Sequence, residues 1–210
     1  MPYLVLIADL VASRRTRDRQ ALQHRLKTEL AALNERKPGL TSPYTLTLGD
    51  EFQAVFGRAD RVFADLVGLL GVLHPTRIRF SLGLGAITTD LNPDQALGMD
   101  GPAFYAARDG IGHLKSSGDL MRIEGLPTED ATLANGSLRL ISQRMDKWHA
   151  NRFAILHGLM SECSVQAIAE RIDISEQAVY KNIHSGGLDA VIEVLSALTE
   201  RLNRQLADRD

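Results

Sequence analysis

Six residues near the start of the chain, Tyr3-Leu4-Val5-Leu6-Ile7-Ala8, form an unbroken strand-like apolar run that stops at a carboxylate, Asp9. Such a run has to be buried, so the fold is built around a sheet. A second place of the same kind follows. Tyr44 to Phe56 reads as two short strands folded back on each other at Gly49-Asp50. Each acid therefore sits where an apolar strand runs out. A single Asp in such a place is ordinarily a cap or a turn former. Two of them together also make a hard oxygen donor set that suits Mg²⁺ or Mn²⁺, whose other ligands are water and substrate phosphate. Asp9 and Asp50 are accordingly the candidate metal ligands, with a nucleotide triphosphate as the expected partner.

The periodicity between and after these strands sets the order of elements. Leu22, Leu26, Leu30 and Leu33 predict an amphipathic helix over Arg17–Arg36, stopped by Gly39. A second helix is expected from Ala59 to Leu73, a strand over Ile78–Ile87, a helix over Ala103–Leu114 and a short strand over Leu120–Ile123. The order β-α-β-β-α-β, then α-β, is the split-βαβ, ferredoxin-like arrangement of an α/β (α+β) domain, expected with helices over one face of the sheet. Leu126 to Ser137 reads as loop, with Pro127, Asn135 and Gly136, and everything beyond it as helix. The expected division is a sheet domain over 1–126 and an all-α domain over 138–210.

Composition narrows the partners. The 210 residues are 44% hydrophobic, enough for a packed core, and the formal net charge of −2 offers no general attraction to nucleic acid, so any such contact rests on a local patch. Cys163 is alone and makes no internal disulfide. No run reaches the roughly 18 apolar residues of a membrane span, and the start of the chain reads as a strand without a charged leader. The expectation is a cytoplasmic protein with no membrane partner. The six histidines lack ligand spacing, no serine or cysteine has a nucleophile context, and Trp148 is expected to anchor the core of the helical part.

In this order of elements, Asp9 and Asp50 look like the two metal aspartates of class III nucleotide cyclases. Gly49-Asp50-Glu51-Phe52 resembles the hairpin of the GGDEF diguanylate cyclases. Arg79 to Gly85 is similar to the cyclase strand whose glycines admit close backbone approach, and Gly101 to Arg108 to the cyclase helix whose arginine meets the triphosphate. The resemblance implies a palm-like fold, Asp9 and Asp50 on metal, Ser13, Arg14, Arg15 and Gly49 around the phosphates, and Arg108 as the catalytic charge stabiliser. A solvated helix start is the other reading of the arginine cluster. Leu46 and Phe104 depart from the cyclase pattern, where a base-contacting lysine and an asparagine stand, so the domain can bind a metal-nucleotide without cyclising it. Over nearly its whole length the chain resembles the SatD family, through Ile7 to Arg14, Thr47 to Gln53 and Met99 to Arg108, and that resemblance implies a sensory or regulatory role.

A second constellation runs from Ser164 to Ile183 and reads as two short helices with a tight turn. Ser164 and Ser175 are N-caps, Ala169 permits a close crossing, and Ile168, Ile172, Ile174, Val179 and Ile183 form a buried face. This resembles the helix-turn-helix of bacterial transcription regulators, with Asp173 in the place of the usual turn glycine. The resemblance implies that Gln177, Tyr180, Lys181 and His184 face double-stranded DNA, with Glu176 beside them. A packing or dimerisation module is the competing reading, because Glu162, Glu170, Asp173, Glu176 and Asp189 oppose phosphate attraction. Leu188, Val191, Leu195, Leu198 and Leu202 then give a seam that serves either a dimerisation helix or the core. The expected function is a cytoplasmic regulator of transcription that binds a divalent-metal nucleotide and DNA as a homodimer. The alternative is a metal-dependent nucleotidyl cyclase or nucleotidyltransferase whose helices serve assembly.

Overall fold

The computed structural model describes residues 1–11, 18–36, 39–47 and 49–208. The elements run β1 (Pro2–Leu10), α1 (Arg19–Glu35), β2 (Leu40–Leu46), β3 (Glu51–Phe56), α2 (Val62–Leu73), β4 (Ile78–Ala86), α3 (Pro102–Ser117) and β5 (Met121–Glu124). Five helices follow: α4 (Thr128–Met145), α5 (Ala150–Met160), α6 (Val165–Ile172), α7 (Glu176–Gly186) and α8 (Leu188–Ala207). The strands form one mixed sheet in the order β2-β3-β1-β4-β5, parallel only between β4 and β5. Among the described residues no helix is long and apolar enough to cross a membrane.

Because β1 is apolar at successive positions, both of its faces are covered, which corrects the expectation of helices on one face only. Leu4, Leu6, Ala8 and Leu10 join the leucines of α1 and the apolar side of α2. Val5 and Ile7 point the other way, into a smaller cluster with Phe104, Ala107, Ile111 and Leu114 of α3. Small residues allow α3 to lie close to β4. A Cβ on Gly83 would stand 2.2 Å from the Ala103 carbonyl oxygen and 2.4 Å from the Ala107 nitrogen, and one on Gly110 would meet Ser81 Oγ at 2.0 Å. This contact puts the C-terminal turn of α3 beside the end of β1.

Local capping decides where the helices begin. Asp18 accepts a 2.8 Å hydrogen bond from the Ala21 N–H, so α1 starts at Arg19 rather than Arg17. Pro102 takes the first turn of α3, and the left-handed Gly118 ends it three residues beyond Leu114. The segment 126–137, expected as loop, is mostly the first half of α4. Asn135 is the reason: its amide nitrogen donates to the Ile123 carbonyl at 2.8 Å and its amide oxygen accepts from the Ile123 N–H at 2.9 Å, completing the outer edge of β5. Asn34 of α1 treats the opposite edge alike, bonding both the N–H and the carbonyl of Tyr44 in the irregular strand β2.

The main cluster continues from the sheet through α2 and α5 to α8. Trp148 is buried and meets Phe153 edge to face at 5.4 Å, as expected of a core anchor. Leu188, Val191, Leu195 and Leu202 are buried within the single chain. They fill the core, and any two-fold contact has to use other residues.

Candidate functional site

Antiparallel pairing sets Glu51, Asp9 and Arg79 side by side across β3, β1 and β4. Paired residues share a face, and this row lies on the α3 side of the sheet. The Asp9 side chain is 12% exposed, and its Oδ2 accepts from Arg79 Nη1 at 3.2 Å and lies 3.6 Å from Lys115 Nζ of the last turn of α3. Its Oδ1 is buried without a hydrogen-bond partner. One carboxylate thus faces two cations and keeps one oxygen unused. What that oxygen lacks is a donor, such as a metal-bound water.

The hairpin brings Gly49 and Asp50 to the same end of the sheet. The Leu10 N–H donates to the Asp50 carbonyl at 3.1 Å, and Gly49, at φ +68°, takes a turn conformation that L side chains rarely adopt. Helix α1 holds this turn, since Gln23 Nε2 donates to the Gly49 carbonyl at 2.9 Å and a Cβ on Gly49 would come within 3.2 Å of the Arg19 guanidinium. Ser13, Arg14 and Arg15 lie outside the described residues. Among the described residues no three His, Cys, Asp or Glu side chains cluster so as to hold a metal ion.

Arg108 does not join this group. It stands two turns before Lys115, about 10 Å along the axis at 1.5 Å per residue, and its exposed guanidinium lies 3.7 Å from Asp100 and over the Phe104 ring. Asp100 also accepts from the Tyr105 hydroxyl at 2.8 Å, which raises that phenol above its ordinary pKa. The cations that do converge on Asp9, Arg79 and Lys115, went unread in the sequence. The register of β1 against β4 and the end of α3 were the signals that could have found them.

The second constellation is built as its caps dictate. Ser164 Oγ accepts from the Ala167 N–H and Ser175 Oγ from the Ala178 N–H, while Asp173 takes the left-handed conformation at φ +53° between α6 and α7. Ile168, Ala169, Val179 and Ile183 are buried, with Ile172 and Ile174 half-buried beside them. Gly158 lets α5 come in underneath, since a Cβ there would meet Ile168 Cγ1 at 2.7 Å. Gln177, Tyr180, Lys181 and His184 are all exposed, and their i, i+3, i+4, i+7 spacing makes one face of α7.

Three basic residues flank that face without having been singled out in the sequence. Arg152 donates to Ser185 Oγ at 2.9 Å and Asn182 Oδ1 at 3.3 Å, and Arg144 donates to the Gly186 carbonyl at 3.1 Å. Together with Lys147 and Trp148 they line an open groove of about 610 Å³ beside the C-terminal half of α7. This is the local patch of positive charge that the net charge of −2 requires of any nucleic-acid contact.

No curated protein matches the chain. The model of the SatD family matches it over residues 3–200, which takes in both the sheet with its strand-end acids and the α6–α7 pair, and the chain therefore belongs to the SatD family.

Proposed function

We propose that the protein is a DNA-binding regulator in which α7 enters the major groove. The observation that carries this reading is the exposed face Gln177–Tyr180–Lys181–His184, carried on a pair of serine-capped helices joined by a three-residue turn. Gln177 and Tyr180 meet base edges, and Lys181 and His184, with Lys147, Arg144 and Arg152 at the flank, meet phosphates. The acids Glu162, Glu170, Asp173, Glu176 and Asp189 keep non-specific affinity low, so a few basic contacts decide binding. Selection from random duplexes at low salt should recover an enriched site. Lys181→Ala should weaken binding across sequences and reduce the salt slope by about one, while Gln177→Ala or Tyr180→Ala should alter preference. If no site is enriched and Lys181→Ala changes nothing, the pair is a protein-contacting module instead.

A second reading concerns the strand-end acid. The order β2-β3-β1-β4 supports a ferredoxin-like, nucleotide-cyclase-type domain, and the two cations at Asp9 Oδ2, Arg79 and Lys115, support a nucleotide triphosphate as its ligand. Arg79 and Lys115 suit phosphate directly. Mg²⁺ or Mn²⁺ on Asp9 and Asp50 requires Lys115 to turn away, because an ammonium beside the carboxylate opposes a second cation. With Arg108 remote from Asp9 in the same chain, binding is favoured over cyclisation unless a second subunit supplies the arginine. A thermal-shift series with ATP and GTP, with and without Mg²⁺, tests this, since a ligand at a hundred times its Kd adds about 2.7 kcal/mol. No stabilisation by either nucleotide removes the reading, and cyclic nucleotide with pyrophosphate among the products replaces it with the enzyme.

A further inference from the structure

Four helices, α1 and α2 from the sheet half and α5 and α6 from the helical half, line a half-open cavity of about 380 Å³. That is the size of a small-molecule pocket, for which about 300–1,000 Å³ is usual. Leu33, Leu69, Val72, Phe153 and Ile172 give it apolar walls. Two glycines in α2 shape the wall that meets α5. A Cβ on Gly71 would stand 3.0 Å from Phe153 Cβ, and one on Gly68 would stand 3.1 Å from His157 Cδ2. Each glycine in a helix interior costs about 0.5–1 kcal/mol relative to alanine, so close packing, not helix propensity, accounts for the pair.

The polar groups at this cavity are incompletely used. Asp65 is 7% exposed, its Oδ2 accepts from the Tyr44 hydroxyl at 3.0 Å, and its Oδ1 has no hydrogen-bond partner, with Arg61 Nε 3.9 Å away. Among the described residues neither nitrogen of His157 is hydrogen-bonded. Burial first, then the guanidiniums of Arg171, Arg36 and Arg61, push the pKa of this imidazole down to about 4. Burial raises the pKa of Asp65, and Glu29 stands half-exposed at the rim.

We propose that this cavity binds a small organic anion with an apolar body, the anionic group paired with Arg36 and Arg171 and the body packed against Leu33, Leu69, Val72 and Phe153. Guanidinium forks suit carboxylate, sulfonate or phosphate geometry. Neutral His157 offers one further donor and one acceptor. A ligand here touches the sheet half and also Arg171 and Ile172 at the end of α6, so occupancy stiffens the seam on which the α6–α7 pair rests. The site is independent of the DNA and nucleotide readings.

Two fluorescent probes with one apolar frame test it: 1-anilinonaphthalene-8-sulfonate, which carries the anion, and N-phenyl-1-naphthylamine, which lacks it. With the full native chain the sulfonate should saturate at one equivalent and bind at least about tenfold more tightly than the neutral probe. Arg36→Met with Arg171→Met should abolish that preference while leaving the neutral probe unaffected. Ala154→Trp, which fills the cavity from α5, should eliminate both probes with the Tm of the folded chain retained. Failure of the sulfonate to saturate, a preference that survives the double methionine change, or tighter binding of the neutral probe would each overturn the assignment. The arginine pair decides the matter alone if Ala154→Trp does not fold.

Discussion

Replacing Gly83 with alanine adds one methyl group at the place where α3 lies closest to the sheet. The new Cβ would stand 2.2 Å from the Ala103 carbonyl oxygen and 2.4 Å from the Ala107 nitrogen. Both obstacles are helix backbone, so no side chain can rotate out of the way. To restore ordinary contact near 3.5 Å, α3 must retreat by roughly 1 Å along its length. Overpacking of this kind costs about 1–3 kcal/mol, and a backbone obstacle puts Gly83→Ala at the upper end. At about 2–4 °C per kcal/mol for a chain of this length, a loss near 3 kcal/mol lowers Tm by about 6–12 °C. The matched control is Gly112→Ala on the same helix, where an added Cβ meets nothing within 4 Å. There the change should stabilise by about 0.5–1 kcal/mol through helix propensity alone. Thermal and urea denaturation of the two variants therefore give shifts of opposite sign. A Gly83→Ala protein as stable as wild type would refute the close packing of α3 on β4 and, with it, the placement of Lys115 beside Asp9.

Asp9→Asn should lower stability by about 1–3 kcal/mol, because it leaves Arg79 and Lys115 facing a neutral amide in a half-closed place; an unchanged urea midpoint would show the pairing to be energetically idle. Leu195→Glu puts a charge into a fully buried site, so it should cost more than about 3 kcal/mol and unfold the chain itself, whereas a folded monomer in sedimentation would return α8 to the role of a dimer seam. The His157 imidazole has a folded pKa of about 4 against 6.5 unfolded, so the unfolded chain binds the extra proton between these values and stability falls as pH drops through that window. Asp65 acts in the opposite sense, its raised carboxyl pKa favouring the folded chain at acid pH. The difference in stability between wild type and His157→Gln should therefore isolate the histidine, and a pH-independent difference would refute its burial beside the guanidiniums.

Elements whose residues state their own ends were legible in the sequence. The serines before α6 and α7, the alternating leucines of α1 and the continuous apolar run of β1 each carry a local cause, and each element stands where that cause puts it. Misreadings arose where a residue serves something distant. Asn135 and Gly136 look like turn formers, yet Asn135 is spent on the backbone of β5 and α4 runs straight through both. Helix α3 hides the second covered face of the sheet because half of its contact surface, Ala103, Ala107 and Gly110, is small, which thins the apolar stripe of Phe104, Ile111 and Leu114. Arg79 and Lys115 become partners of Asp9 only through strand register and a helix end, and the cavity between α2 and α5 is lined by four helices from both halves of the chain. No window of sequence contains it.

The two asparagine clamps have a consequence for how this chain behaves in company. An open sheet ends in strands whose outward N–H and carbonyl groups can recruit a strand from another molecule. At one margin Asn34 occupies those groups on Tyr44, in a strand already broken by register shifts and Pro43. At the other, Asn135 occupies them on Ile123. Each side-chain amide imitates the peptide of a neighbouring strand, so the sheet is terminated at both margins by its own helices. A crowded or partly heated solution thus meets a sheet that resists extension, and removing either amide would open a margin along which chains can join into aggregates.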